Sequence, residues 1–282
     1  MSELSFIHII FLILFGVFVG VLGSVMGVGG GVFIVPFLTL VFHIPIKYAI
    51  AVSLVSIIAT SSSVASVNVE KGLANVRLGT ILEIPMAAGS IISTLIMMKM
   101  NSAVLQLLFG FMILPVAGSM YIKSRKERKK KVFDPNPEEH KNDPKSVKYF
   151  DHSEGREISY SVKKIKTAFA FSFLGGTMSG LFGLGGGIVQ VPVMNILCGV
   201  PMKAATATSN FMIGLSACAS VLILFSEGYV LNELAVFMVI GVVIGGILGM
   251  KFLNKTKNHV LQAIFSFLLM IISLKMIWSV LK

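Results

Sequence analysis

The chain has 282 residues, of which 55% are hydrophobic and only 13% are charged, and its mean hydropathy is +0.87. A soluble domain of this length could not bury so much apolar surface, so the composition excludes that class and indicates a protein whose solvent is lipid. The net charge of +11 would suggest nucleic acid only in a soluble chain, so nucleic acid is not an expected partner.

The first part of the chain predicts five apolar pieces. The first, Leu4 to Leu22, lacks a basic leading region and continues into a glycine motif, so we interpret it as a membrane span and not as a cleaved leader. A short piece, Val32 to Phe42, then follows a glycine cluster, and it is too short to cross as an ordinary helix. Three further spans are predicted at 46–68, 78–99 and 102–122.

A polar linker, residues 123–163, separates a first membrane repeat, 1–122, from a second, 164–282. The linker opens with KSRKERKKK, which predicts either a topogenic signal or a contact with anionic lipid headgroups. Its later stretch VKYFDHSEGREISYSV alternates in polarity and predicts a small β-hairpin that turns near Glu154–Gly155.

The second half repeats the first at a constant offset of 156 residues, which relates Gly27 to Gly183 and Pro36 to Pro192. One register over more than a hundred residues indicates an internal duplication. The corresponding pieces are predicted at 165–182, 188–199, 203–226, 231–251 and 259–281. The predicted fold is therefore an all-α membrane protein, a polytopic helical bundle of two repeats with glycine-broken short helices.

The positions of Lys and Arg predict the orientation. If each repeat crosses five times, 20 of the 24 Lys and Arg fall on the linker side, and only Lys47, Lys99 and Lys282 fall on the other. This places the linker in the cytoplasm and both termini outside, in a multi-pass protein of the plasma membrane. An even number of crossings would move Lys251 and two nearby lysines outside, so the odd number fits better and gives the repeats inverted topology.

The two glycine clusters are the predicted substrate site. Each cluster precedes a short helix, whose first N–H groups have no intrahelical partner and carry the positive end of the helix dipole. Two such helix starts that meet from opposite sides predict a neutral, electropositive anion site; close helix packing by small residues is the alternative. The residues concerned are Gly29, Gly30, Gly31, Gly185, Gly186 and Gly187, with Pro36 and Pro192 in the short helices.

Polar side chains in neighbouring pieces are predicted to complete this site. Ser53 and Ser209 are repeat equivalents, Asn210 follows directly, and Gln190 replaces Ile34 of the first repeat. The alternative to a site role for the serines is that their hydroxyls hydrogen-bond to the backbone of their own helix. The alternative for Gln190 is that its side chain bridges two helices.

Glu83 is an ionisable residue inside a predicted span, which is costly and therefore indicates function. It is predicted either to carry a proton or to pair with Arg77 at the membrane boundary. Cys198 and Cys218 lie in apolar segments without metal-ligand spacing, so neither a metal nor a cofactor is expected.

The strings GSVMGVGGGVFIVPFL and SGLFGLGGGIVQVPVM, one in each repeat, resemble the sulfite exporter TauE/SafE family. The resemblance covers nearly the whole chain outside the linker. It implies a membrane transporter of sulfur-containing anions such as sulfite and sulfonates. The long basic linker departs from the family pattern.

These features predict a secondary transporter that exports a small anion by alternating access, and not an enzyme. An anion channel is the alternative, and an intramembrane enzyme is a weaker one, because only Glu83 comes near to a catalytic group. The expected partners are the anion, the lipid bilayer and a coupling ion, either proton or sodium, and a homodimer is left open.

Overall fold

The computed structural model describes residues 6–129, 146–151, 156–252 and 258–281. The first repeat contains α1 (Phe6–Met26), α2 (Gly31–Leu40), α3 (Ile46–Glu70), α4 (Val76–Lys99) and α5 (Ser102–Lys129). Two strands follow, β1 (Ser146–Asp151) and β2 (Arg156–Ser161). The second repeat contains α6 (Ile165–Phe182), α7 (Gly187–Pro192), a π-helical turn (Val193–Leu197), α8 (Met202–Ser226), α9 (Asn232–Phe252) and α10 (Asn258–Leu281).

Five of the described helices are long and apolar enough to cross a membrane: α1, α3, α4, α8 and α9. This confirms the all-α membrane class. The pieces predicted at 102–122 and 259–281 form α5 and α10, within which Ser102–Pro115 and Ser266–Val280 are apolar helical stretches. The piece predicted at 165–182 forms α6, which is not among the five.

Both predicted short helices are present directly after the glycine clusters. The first, α2, has 10 residues and contains Pro36. The second, α7, has 6 residues, ends at Pro192 and continues as the π-helical turn. Proline lacks the N–H that an α-helix needs at that position, and the π-helix, although rare, occurs mostly as a single turn of this kind within a helix.

The two repeats pack against each other through two equivalent pairs of helices. Helix α1 packs on α9, and its repeat equivalent α6 packs on α4. The details also repeat: a Cβ on Gly20 would collide with the carbonyl oxygen of Val242, and a Cβ on the equivalent Gly176 would collide with that of Met86. Small residues therefore allow close backbone approach at both interfaces, as is usual between membrane helices.

Helices α3 and α8 are repeat equivalents that run in opposite directions through the bundle. At one end, which we call the distal end, the ring of Tyr48 near the start of α3 contacts that of Tyr229 just beyond α8, with centroids 5.4 Å apart. At the other, which we call the hairpin end, the N–H of Asn75 beyond α3 donates to Oγ1 of Thr208 near the start of α8 (2.9 Å). Each end of the bundle is thus formed by segments of both repeats.

The linker contains the predicted hairpin. Strands β1 and β2 pair antiparallel with Tyr149 opposite Ile158, while the predicted turn at Glu154–Gly155 lies outside the described residues. Tyr149, Ile158 and Tyr160 are buried and belong to the same apolar core as the helices. The hairpin therefore packs on the bundle.

Candidate substrate site at the paired glycine breaks

The glycines form two equivalent backbone breaks, a first break at 27–31 and a second break at 183–187. Gly29 and Gly30 have φ of 76° and 83°, and Gly185 and Gly186 have φ of 71° and 73°. Positive φ in this range is left-handed backbone that glycine adopts without strain. The chain therefore turns sharply out of α1 and α6 before α2 and α7 begin.

The last glycine of each break is required for a different reason. A Cβ on Gly31 would collide with the carbonyl oxygen of Gly183 and lie 2.7 Å from Oγ of Ser53. A Cβ on Gly187 would collide with the carbonyl oxygen of Gly27 and lie 2.9 Å from Cα of Val28. The start of each short helix thus contacts the break of the other repeat.

Two equivalent hydrogen bonds join the breaks. The buried hydroxyl of Ser53 donates to the carbonyl oxygen of Gly183 (2.8 Å), and that of Ser209 donates to the carbonyl oxygen of Gly27 (2.8 Å). In this conformation both serine protons are used between the repeats. The serines therefore position the breaks, and the donors left for an anion are backbone N–H groups.

Those donors lie at the starts of α2 and α7. The N-cap residues Gly30 and Gly186 make no side-chain cap, and the backbone bonds of the described residues leave the N–H groups of Gly31, Val32, Gly187 and Ile188 without a partner. Buried N–H groups without a partner are uncommon in folded proteins. Together with the helix dipole they make this region attractive to an anion.

The two predicted amide side chains bond to equivalent helices, Asn210 to α1 and Gln190 to α6. Nδ2 of Asn210 donates to the carbonyl oxygen of Ser24 at 3.2 Å, which fixes the end of α1. Nε2 of Gln190 donates to Oγ of Ser172 at 2.7 Å, while its Oε1 is fully buried without a partner. Gln190 therefore retains a free acceptor beside the second break.

Glu83 is buried in α4 with 8% of its surface exposed, and neither carboxylate oxygen has a hydrogen-bond partner. The alternative that it pairs with Arg77 is wrong. Residues six apart are separated by about 120° around a helix, and only residues three or four apart are neighbours; Arg77 is exposed whereas Glu83 is buried.

Two cavities flank α3 and α8 at equivalent positions. One, of about 430 Å³, extends from Val55 to Asn232 towards the distal end and has an almost wholly apolar lining. The other, of about 380 Å³, reaches Val69 towards the hairpin end and includes Ser61, Ser62 and Ser66. Neither is lined by a glycine of the breaks, which are themselves buried.

Sequence reasoning missed a pair of isoleucines between the breaks. Ile57 and Ile213 are repeat equivalents, and a Cβ on Gly29 would lie 2.8 Å from Cδ1 of Ile213 and 3.1 Å from Cγ2 of Ile57. Each isoleucine follows a site serine by four residues, and such residues share one helix face. The offset of 156 residues between the repeats, combined with this four-residue spacing, could have identified the isoleucines from the sequence.

A buried hydroxyl cluster between α4 and α8 was also missed. Ser90 and Ser220 hydrogen-bond to each other, and Oγ1 of Thr94 donates to Oγ of Ser220 (2.8 Å). Such bonds join helices in a lipid environment. Ser90 corresponds to Gly246 in the second repeat, so the cluster is present at only one of two equivalent interfaces.

Comparison with known proteins agrees with this architecture. The family model described as "Sulfite exporter TauE/SafE" matches residues 12–276, which include both breaks and both repeats. The chain belongs to the sulfite exporter TauE/SafE family. The breaks described above are thus a structural feature of a member of that transporter family.

Proteins similar to this chain come from bacteria, archaea and plants. The chain is 29% identical to "Probable membrane transporter protein YunE" of Bacillus subtilis, over 96% of this chain and 97% of the relative. It is 28% identical to a probable membrane transporter protein of Methanocaldococcus jannaschii, over 94% of each. "Sulfite exporter TauE/SafE family protein 6" of Arabidopsis thaliana is 29% identical over 40% of this chain and 26% of its own length. No solved structure matches the chain.

Proposed function

We propose that this membrane transporter is a secondary transporter that carries a small anion by alternating access, with the anion held at the starts of α2 and α7. The observation that supports this is the pair of uncapped helix starts linked by the equivalent Ser53–Gly183 and Ser209–Gly27 bonds. Backbone donors carry no full charge, so they can hold an anion without a Lys or Arg that would trap it.

Burial of the breaks favours alternating access over a permanently open channel. The glycines of both breaks are buried and lie outside the two cavities described above, so we expect an anion to reach them when one end of the bundle opens. The two cavities also extend towards opposite ends of the bundle. Their linings are related by the repeat, because Val55 and Val221 of one cavity are the repeat equivalents of Phe211 and Ala65 of the other. Equivalent paths at opposite ends are what two repeats inserted in opposite directions would supply.

The proposed orientation places residues 123–163 in the cytoplasm and both termini outside, since most Lys and Arg lie on the linker side. Thiol labelling of Ser2→Cys and Ser153→Cys in an otherwise cysteine-free protein tests it in sealed cells. We expect Ser2→Cys to react with an impermeant reagent and Ser153→Cys to be protected; labelling of the latter from outside would contradict the orientation.

The family favours a sulfur-containing oxyanion such as sulfite or a sulfonate as the exported substrate. Glu83 is the proposed proton carrier, because a buried carboxylate without a partner is a site where protonation costs little. Export would then be driven by a proton gradient; sodium is the other proposed coupling ion.

Counter-flow in proteoliposomes tests the function. Vesicles loaded with unlabelled sulfite, methanesulfonate or acetate are diluted into labelled sulfite, with empty liposomes as the control. We expect transient, saturable accumulation of label with the sulfur oxyanions and little with acetate. Flux that never saturates and gives no counter-flow would identify a channel, and an absence of flux for every anion would overturn the proposal.

A further inference from the structure

The linker hairpin is bonded to the helical bundle through a buried tyrosine. Tyr160 in β2 is only 2% exposed, and its hydroxyl accepts a hydrogen bond from Nδ2 of Asn75 (3.2 Å). Burial raises the pKa of this hydroxyl above its ordinary value, against the opposing effect of the Asn75 bond. The hydroxyl is therefore neutral at physiological pH, and the contact does not depend on a charge.

Asn75 connects the hairpin to both repeats. Its Oδ1 accepts from the N–H of Leu78 (3.0 Å) and so caps the start of α4. Its own N–H donates to Oγ1 of Thr208 in α8 (2.9 Å). The Tyr160 contact is thus made at the point where α4 of the first repeat meets α8 of the second.

A second attachment lies directly after β2. The N–H of Lys163 donates to the carbonyl oxygen of Cys198 (3.0 Å), in the connection between the π-helical turn and α8. The hairpin and the residues directly after it are therefore bonded to two loops at the same end of the bundle. One loop joins α3 to α4 in the first repeat, and the other precedes α8 in the second repeat. At the distal end, by contrast, the ring contact between Tyr48 and Tyr229 joins the two repeats directly, without the hairpin.

We propose that the β1–β2 hairpin is a latch that keeps the hairpin end of the transporter closed. The proposal rests on the alternating-access function proposed above. Opening this end separates segments of the two repeats, and the hairpin is bonded to both. One end of the otherwise duplicated bundle thus opens only after the Tyr160–Asn75 or the Lys163–Cys198 bond breaks.

The native cysteines supply a direct test. Cys198 is fully buried, and in the Cys218→Ser protein it is the sole cysteine. The rate of its reaction with N-ethylmaleimide in the full-length purified protein reports opening of the hairpin end. The variants are Tyr160→Phe, which removes only the hydroxyl, and Tyr160→Ala, which also removes the ring; Tyr48→Phe is the matched control at the distal end.

We expect Cys198 to react about fivefold faster in Tyr160→Phe, the factor for one typical net hydrogen bond, and faster still in Tyr160→Ala. Tyr48→Phe should react at the parent rate. A Tyr160→Phe rate equal to that of the parent, or an equal acceleration in Tyr48→Phe, overturns the latch. Hydrogen exchange separates opening from unfolding, because opening accelerates residues 72–78 and 198–203 but not residues 46–50 at the distal end.

Anion counter-flow with the same proteins separates this proposal from the function on which it rests. If the parent and Tyr48→Phe transport sulfite but the Tyr160 variants change neither flux nor Cys198 reactivity, the latch fails and the transporter stands. If Cys198 reactivity changes as expected while no protein transports any anion, the hairpin still closes this end and the transport function fails.

Discussion

The first and second breaks have the same backbone conformation but differ in the side chains around them. Both have left-handed glycines and a serine-to-carbonyl bond at 2.8 Å. At equivalent positions, however, the first short helix has the apolar Ile34 and the second has Gln190 with an unpartnered Oε1. The duplicated backbone therefore presents the same N–H groups at both breaks, whereas the second repeat alone has a buried amide side chain beside its break.

The largest expected effect comes from blocking the shared backbone. Gly31→Val and Gly187→Val each force side-chain atoms into a carbonyl oxygen of the other break. Overpacking of this kind costs about 1–3 kcal/mol and also displaces the N–H donors. We expect calorimetric affinity for sulfite to fall at least about 100-fold in both variants.

The control for these variants is Gly118→Val, because no heavy atom lies within 4 Å of a Cβ at that position. It should bind sulfite like the parent. Size-exclusion profiles show whether each protein is folded. A folded Gly31→Val or Gly187→Val protein that keeps parental affinity would remove the site from these helix starts.

The next effect concerns a residue present in only one repeat, since Glu83 corresponds to Val239. Glu83→Gln cannot carry a proton, so we expect transport driven by a pH gradient to be lost while sulfite exchange stays within about twofold of the parent. The exposed Glu227 provides the control Glu227→Gln, which should change neither. Unchanged pH dependence in Glu83→Gln would leave Glu83 without a role in coupling.

Exchanging the residues that distinguish the breaks gives the sharpest comparison. Gln190→Ile removes a buried unpartnered acceptor, so the thermal midpoint should hold or rise. It also removes the Nε2 donor, which bonds to Oγ of Ser172 in this conformation and would turn to a bound anion, so sulfite affinity should fall about five- to tenfold. Ile34→Gln buries a new amide and should destabilise the protein by about 1–3 kcal/mol. Thermal unfolding and calorimetry measure the two properties. Equal affinities in the parent and Gln190→Ile would show that Gln190 does not contact the anion.

The smallest effect is expected at the two serines. Ser53→Ala and Ser209→Ala each remove one bond between the breaks, so each should weaken sulfite binding by about 1 kcal/mol. Because the bonds are repeat equivalents of the same length, the two losses should be equal within error. A loss at only one serine would show that the breaks act unequally even in their backbone.

The short helices and the hairpin could be predicted from the sequence because each depends on local signals. Clustered glycines mark where backbone must turn, apolar length marks a span, and alternating polarity marks paired strands. The breaks were found for the same reason. Their proposed role in anion binding stays a prediction, as do the roles of Asn210, Gln190 and Glu83.

Contacts between the repeats could not be predicted, because no local pattern states which helices meet. The pairings of α1 with α9 and of α6 with α4 depend on the close approach of glycine backbones. The use of the Ser53 and Ser209 protons between the breaks was missed for the same reason. The Glu83–Arg77 alternative was wrong because sequence distance was considered without the helical angle between the two residues.

One anion is expected to contact the starts of α2 and α7 at the same time, and a titration followed by nuclear magnetic resonance measures that contact at each helix start. The backbone amides of Val32 and Ile188 are labelled with nitrogen-15 in the full-length protein, and sulfite is added. We predict that both amide signals shift together, with one dissociation constant and one anion per chain. Shifts at only one helix start, two unrelated dissociation constants, or no shift at saturating sulfite would contradict a shared site.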